Sequence, residues 1–389
     1  MKRSNTSKNS SKSYDQAETD VYIRLSKFLD DLPAGFPRTE DGTELRLLRQ
    51  LFTPEEAGLV LHLTLIPETA KVIARRAGED TEKIREQLDI MSRKGLIYST
   101  EREGKQTTYM ANQMVIGIWE YHVTQLNQEL IRDMNAYIPT LINEAWKVPQ
   151  LRTIPVKKSL TTTHEVLTYE IAEEIVGRHK RIAVAPCICR RERKMEGEGC
   201  DRLEEACLVF GSAADYYVRN GMGRYIDDRE ALDVLKTAEN SGLVLQPGNS
   251  QNPANICCCC GCCCGVLRTL KKMPRPAEMV SAPFYVEVEQ ENCQGCEVCA
   301  ERCQMDAFSF PLAKAHLDQD RCIGCGLCVT TCPSGALTLV RKASADQPEV
   351  PRNTRDTYVK LGKLRGKLNL PVIAKLLIQS KIDRIIAGK

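Results

Sequence analysis

Cys322-Ile323-Gly324-Cys325-Gly326-Leu327-Cys328-Val329-Thr330-Thr331-Cys332-Pro333 sets four thiols at spacings of two, two and three intervening residues. Three cysteines so close can wrap three corners of one iron–sulfide cube, but the fourth does not easily reach the last corner. The same register stands 29 residues earlier at Cys293, Cys296, Cys299 and Cys303. Residues 290–310 and 319–339 align at this offset, with Gln290/Gln319 and Gly295/Gly324 also coinciding. Such a repeat decides architecture better than residue propensity does. Each run lacks one ligand and has one to spare. The expectation is two [4Fe-4S] clusters with exchanged ligands. Cys293, Cys296, Cys299 and Cys332 would hold the first, and Cys322, Cys325, Cys328 and Cys303 the second. Gly295, Gly324 and Gly326 permit tight turns that aim amides at cluster sulfur. A pair of zinc sites or free thiols is the blander reading, and eight cysteines in two identical registers argue against it.

These runs resemble the bacterial two-cluster ferredoxins over residues 284–342, as repeats 284–313 and 313–342. The resemblance implies one-electron transfer. Gln304 stands where that family usually has proline, a position that shapes a turn and supplies no ligand. Residues 284–340 hold 8 acidic and 3 basic side chains. Negative charge around a cluster favours its oxidised form, which argues for a low potential.

Eleven cysteines remain of 19. Cys187, Cys189, Cys200 and Cys207 form one group; Cys257, Cys258, Cys259, Cys260, Cys262, Cys263 and Cys264 form another. Seven thiols in eight residues are not ordinary core packing. Adjacent cysteines on one strand point in different directions, so they do not all ligate one metal. A turn at Gly261 would present a subset such as Cys257 and Cys260, with a Cys-x-Cys pair completing the site. Soft thiolates select iron–sulfur clusters, zinc or Cu(I). A third [4Fe-4S] cluster, a structural zinc site and a store of redox-active thiols all stay open. The candidates for this third site are Cys187, Cys189, Cys200, Cys207, Cys257 and Cys260.

A wider resemblance covers residues 40–345. It is carried by Pro186-Cys187-Ile188-Cys189-Arg190, Gly199-Cys200-Asp201, Cys207, Gly211-Ser212-Ala213, residues 256–264 and the two late runs. The chain is similar to the dicluster 4Fe-4S ferredoxin-type iron–sulfur binding proteins of anaerobic bacteria and archaea. That family implies cofactor and compartment more than reaction. It usually carries another residue, often Asn, at the position of Cys258, which makes Cys258 the poorest ligand of the run.

Composition bounds the rest. Lys+Arg is 54 and Asp+Glu 51, a formal charge of +3, which gives no support for a polyanion-coated protein. No apolar stretch reaches the ~18 residues of a spanning helix, and no secretory h-region stands at the start. A cytoplasmic, reducing location is therefore expected, where clustered cysteines serve as ligands. The fold class expected is α+β and modular: a winged-helix-like N-terminal domain, a cysteine-rich α/β middle domain and a two-cluster ferredoxin-like domain.

Residues 1–19 read as a disordered tail. Residues 20–33 read as a short helix, and 40–112 as the winged-helix-like domain. There Thr53-Pro54-Glu55-Glu56 starts one helix, Pro67 opens a second, Asp80 opens a third, and residues 96–99 and 107–110 form the wing. Residues 113–180 read as a mostly helical linker region. The middle domain spans 181–275, with a strand at 181–185 and helices at about 202–220 and 227–241. Residues 343–389 read as a basic helical tail, with 12 basic and 4 acidic side chains over 341–389 and an apolar face at Ile378, Ile382 and Ile385. His62, His122, His164 and His179 show no ligand spacing, and His316 reads as a loop histidine. No phosphate loop, dinucleotide fingerprint or nucleophile elbow is present.

The function expected is electron transfer, as a carrier or as a component of a low-potential oxidoreductase system of anaerobic metabolism, with a redox partner protein. A redox-responsive transcription regulator is the alternative. Its reading helix, Asp80–Lys94, has no net charge, so nucleic acid is not the favoured partner. An iron–sulfur cluster delivery factor is a third option. The basic tail is compatible with peripheral membrane contact, without a transmembrane span.

Overall fold

The computed structural model describes residues 20–146, 148–162, 165–368 and 370–388. The expected disordered tail, 1–19, and His164 lie outside them. The chain divides into two compact units.

The first unit takes in the chain to His122, then 129–145 and 362 onward. Its helices are α1 (20–31), α2 (Thr43–Leu51) and α3 (Pro54–Val60). Thr53 caps α3 in a complete capping box with Glu56, as its sequence requires. Pro67 does not open a helix. A two-residue strand, β1 (Glu68–Thr69), intervenes and pairs with Tyr109 and Thr108. Helix α4 (Ala70–Ala77) then ends at left-handed Gly78, and Asp80 caps α5 (Thr81–Arg93) through the Glu82 and Lys83 amides. The hairpin β2 (Tyr98–Arg102) and β3 (Lys105–Met110) completes a three-stranded sheet in the order β1-β3-β2. Its first strand starts later than expected, because Leu96 and Ile97 are buried as the chain leaves α5. Helix α6 (Gln128–Ala145) follows.

The C-terminal helix, Leu370–Gly388, packs on α4. Its apolar residues Ile378, Ile382 and Ile385 are exposed (59%, 44% and 55%); the helix docks through polar groups instead. Arg76 pairs with Glu68 at 3.1 Å and Asp383 at 2.8 Å, and Ser380 Oγ donates to Glu68 at 2.7 Å. The Glu68 side chain is only 1% exposed, so removing its cation strands a buried charge. Arg76→Ala is expected to cost about 3–5 kcal/mol of this unit's stability, read as a lower denaturant midpoint. An unchanged midpoint would show that the ion trio is not what holds the helix.

The second unit comprises 123–128 and 146–361. Residues 148–171 are not helical as expected. They run as bridges and short 3-10 turns, with Leu151 and Ile154 bridging Gly248 and Leu245. Pro149, Pro155 and the β-branched Thr153, Ile154 and Val156 explain the extended path. The sheet of this unit contains β4 (Ile182–Pro186), β5 (Glu205–Phe210), β6 (Arg224–Ile226), β7 (Val244–Pro247) and β8 (Asn255–Cys259). Their order is β6-β4-β5-β8-β7, antiparallel throughout. The middle segment is thus α+β, not α/β in the parallel-sheet sense. The β4–β5 and β7–β8 connections return the chain to the end of the sheet it left, whereas helices span the sheet between β5 and β6 and between β6 and β7. The Cys187 amide donates to Glu204 O at 2.8 Å, so the excursion carrying α7 (Ile188–Met195) starts and finishes at one end of the β4–β5 pair. Residues 205–210 are strand where a helix was expected, and helix α8 is only Ser212–Arg219. Helix α9 (Asp228–Asn240) has the expected Asp227 cap, and α10 (Gly265–Lys271) follows the cysteine run.

Candidate metal centres

The two late runs fold on a pair of ribbons, β9 (Phe284–Val288) with β12 (Leu337–Arg341), and β10 (Phe308–Ser309) with β11 (His316–Leu317). The sequence repeat is matched in its hydrogen bonds. Gln290 Nε2 donates to Ala315 O at 2.8 Å and Gln319 Nε2 to Val286 O at 2.7 Å. Gly295 and Gly324 have φ of +68° and +63°, and a Cβ on either would stand 2.0 Å from a carbonyl oxygen, of Ala313 or Phe284. Only glycine fits both demands.

Two cavities result. One is lined by Cys293, Cys296, Cys299 and Cys332, with Phe310 and Leu337 among its walls. The other is lined by Cys303, Cys322, Cys325 and Cys328, with Val286 and Ile323. Each thus draws three thiols from one run and one from the other. Cys296 is exposed, whereas every thiol of the second cavity is at least partly buried. Backbone amides already point at sulfur: Ala315 N–H to Cys293 at 3.3 Å and Ala307 N–H to Cys303 at 3.5 Å.

Burial pushes the Cys299 thiol up to about 11 and Cys325 up to about 12. Cys303, Cys322 and Cys328 also rise through burial. At Cys332 burial is outweighed by hydrogen bonds from Ser334 and nearby amides, and the thiol falls. Thiols raised by desolvation ionise when a cation supplies compensating charge. Four soft donors around an apolar chamber fit an iron–sulfur cluster.

A separate set lies in the middle segment. The sulfurs of Cys200, Cys260, Cys262 and Cys263 all fall within 4.8 Å of one another. Cys200 and Cys260 are 3.8 Å apart, Cys263 and Cys200 3.6 Å, and Cys262 and Cys263 3.8 Å. Two arginines neutralise the group. Arg190 Nη2 donates to Cys260 Sγ at 3.4 Å and Arg202 Nη1 to Cys262 Sγ at 3.3 Å. Hydrogen bonding from Cys263, with Arg190 assisting against burial, draws the Cys260 thiol down to about 3.

The six third-site candidates are therefore divided. Cys200 and Cys260 join Cys262 and Cys263, which the sequence reading had left out of the candidate set. Cys187, Cys189, Cys207 and Cys257 gather elsewhere, with Cys259 and Cys264. Cys258 belongs to neither set: it is buried on the opposite face of β8, and burial drives its thiol far up.

Gln304 has a role that spacing did not reveal. Its Oε1 accepts the Gly261 N–H at 2.8 Å, and it is 6% exposed. A Cβ on Gly261 would lie 2.1 Å from Gln304 O. The residue after Cys303 thus clasps the turn between Cys260 and Cys262. Arg302 Nη1 on Asn240 O (2.8 Å) and Arg321 Nη2 on Lys271 O (2.9 Å) extend this attachment.

A family model described as a 4Fe-4S binding domain matches residues 315–338. That stretch contains all of the second run. The chain therefore carries an iron–sulfur binding segment. No curated protein and no solved structure matches the chain. No helix among the described residues is long and apolar enough to cross a membrane.

Proposed function

We propose that this protein is an iron–sulfur electron-transfer protein. It would hold two [4Fe-4S] clusters and a further cysteine-ligated centre, and act as or within a low-potential oxidoreductase system. The observation that carries this reading is the pairing of thiols in the two cavities, three from one run and one from the other. When bound, each cluster supplies a one-electron redox couple. Cys293, Cys296, Cys299 and Cys332 would hold the outer one, and Cys303, Cys322, Cys325 and Cys328 the inner. The exposed Cys296 edge is where a redox partner would approach. The Gln304–Gly261 clasp fixes the inner site against the middle segment, which gives the sites an order from surface to interior.

The Cys200, Cys260, Cys262 and Cys263 set is better suited to a single metal ion than to a third cube. Four sulfurs placed tetrahedrally at about 2.3 Å from zinc stand about 3.8 Å apart. Three of the six separations, at 3.6–3.8 Å, agree with that edge, and all six lie within 4.8 Å. No ferredoxin-type thiols among the described residues crowd so closely. A closed four-thiolate zinc site is structural, and here it would brace the turn that Gln304 holds.

Metal analysis of anaerobically purified protein tests this. The expected outcome is one zinc per chain, lost in Cys200→Ala, while the ferredoxin-type EPR signals after dithionite persist. Zinc-free protein with those signals intact would overturn the single-ion assignment. Protein devoid of iron and sulfide would overturn the electron-transfer reading itself.

A further inference from the structure

Strand alternation puts Cys257 and Cys259 on one face of β8 and Cys258 on the other. Cys207 on β5 is the direct cross-strand partner of Cys257, so its side chain shares that face. From there the thiols form an unbroken series. Cys257 is in hydrogen-bonding contact with Cys207 and Cys259, and Cys259 with Cys264. Cys264 contacts Cys189, and Cys189 contacts Cys187. The series also turns back on itself. Cys187 follows Pro186, which pairs with Glu205, two residues from Cys207.

Six thiols in serial contact are not one mutually close group like Cys200, Cys260, Cys262 and Cys263, so one ion does not satisfy them. None of the six is in a disulfide. Cys259 and Cys264 are buried and the other four partly so. A buried salt bridge, Glu192 to Arg268 at 3.2 Å, ties α7, which carries Cys189, to α10, which Cys264 precedes.

A buried donor beside the series, on Arg190, points independently to a missing acceptor, and a buried amide borders the same face. Gln246 is the other cross-strand neighbour of Cys257 and shares its face. It is 2% exposed, and its Oε1 has no hydrogen-bond partner. Arg190 is 0% exposed and sits in electrostatic contact with Cys187 while donating to Cys260. Its Nε also lacks a partner. Orphaned buried polar atoms are rare in native structures and call for a specific explanation. A guanidinium held between two thiol sets is the counter-charge that anionic metal–thiolate centres require.

We infer that Cys187, Cys189, Cys207, Cys257, Cys259 and Cys264 hold a polynuclear iron–sulfur centre, distinct from the two ferredoxin-type clusters and from the four-thiol zinc site. Soft sulfur donors without histidine or carboxylate select iron–sulfur chemistry in a chain that already binds it. Arg190 neutralises the centre, and Gln246 borders it on the sheet. More thiols than one cube needs leave room for bridging or exchangeable ligation.

Iron and acid-labile sulfide counts on anaerobic protein, wild type against the double variant Cys187→Ala/Cys207→Ala, test this. Both substitutions lie away from the 260–264 turn. The expected result is about 12 iron in the wild type and about 8 in the variant, with zinc and the ferredoxin-type signals retained. Equal counts near 8 would overturn the inference and leave the two-cluster reading standing. Extra zinc in place of extra iron would overturn the iron assignment. Because the variant can fail to fold, alkylation of the wild type gives a second reading. Iodoacetamide should modify Cys187, Cys189, Cys207 and Cys257 at least about tenfold more slowly in the metal-replete protein than after chelator treatment. Equal rates, or a disulfide among these four found in anaerobic protein by mass spectrometry, would sink the proposal.

Discussion

Replacing Cys332 by alanine is expected to abolish the cluster of the other run's three cysteines, not the one nearest in sequence. Iron should fall by about four per chain. The residual EPR spectrum after dithionite should match that of Cys293→Ala, since both substitutions empty the cavity lined by Cys293, Cys296, Cys299 and Cys332. Cys303→Ala and Cys322→Ala should form a second matching pair, because their thiols line the other cavity. The effect is large because each iron of a cube needs its own thiolate, and alanine leaves one iron without a protein ligand. Serine is the weaker test, since its oxygen can substitute as a ligand. If Cys332→Ala instead reproduces the spectrum of Cys322→Ala, each run serves its own cluster and the crossed assignment fails.

Gly261→Ala is expected to loosen the ferredoxin-like segment from the cysteine-rich sheet. The new Cβ would meet Gln304 O at 2.1 Å, a backbone atom that cannot swing aside. The Gly261 N–H to Gln304 Oε1 bond would be displaced with it. A loss of about 2–4 kcal/mol is reasonable for overpacking combined with a broken buried hydrogen bond. Denaturant titration of the anaerobic protein measures it. Gln304→Ala, which removes the bond and leaves the backbone room unchanged, should cost less, about 1–2 kcal/mol. An inverted ranking would show that the side chain, not the close backbone approach, sets the junction.

The late cysteine spacing made half of the candidate chemistry legible, because ligand geometry there is local and repeated. The helix starts at Thr53 and Asp80 were equally readable, each being a cap written in four residues. The partition of the other cysteines was not. It depends on β5 lying beside β8 with Cys207 opposite Cys257, a register between residues 50 positions apart. Strand β5 itself was hidden in an expected helix, since Glu205–Phe210 offers only six residues of pattern. The turn at Gly261 suggested a Cys257–Cys260 pair, but strand alternation sets Cys257 with Cys259, and Cys260 joins Cys200, Cys262 and Cys263 instead. The significance of Gln304 came only from its partner, 43 positions away. The tail helix was legible, but its docking side was not. Its isoleucine periodicity was real, but the buried charge at Glu68 decided which side of the helix docks.

Residues 257–264 alternate their allegiance. Cys257, Cys259 and Cys264 belong to one thiol set, while Cys260, Cys262 and Cys263 belong to the other. The Cys264 amide even donates to Cys260 O, at 3.0 Å, across the turn. Filling either centre would restrict this short stretch of backbone and so lower the entropic cost of filling its neighbour. Loading should then be coupled: emptying one centre would weaken the neighbour's metal affinity without emptying it, and paired substitutions across the two sets would harm the protein less than their separate losses add up to.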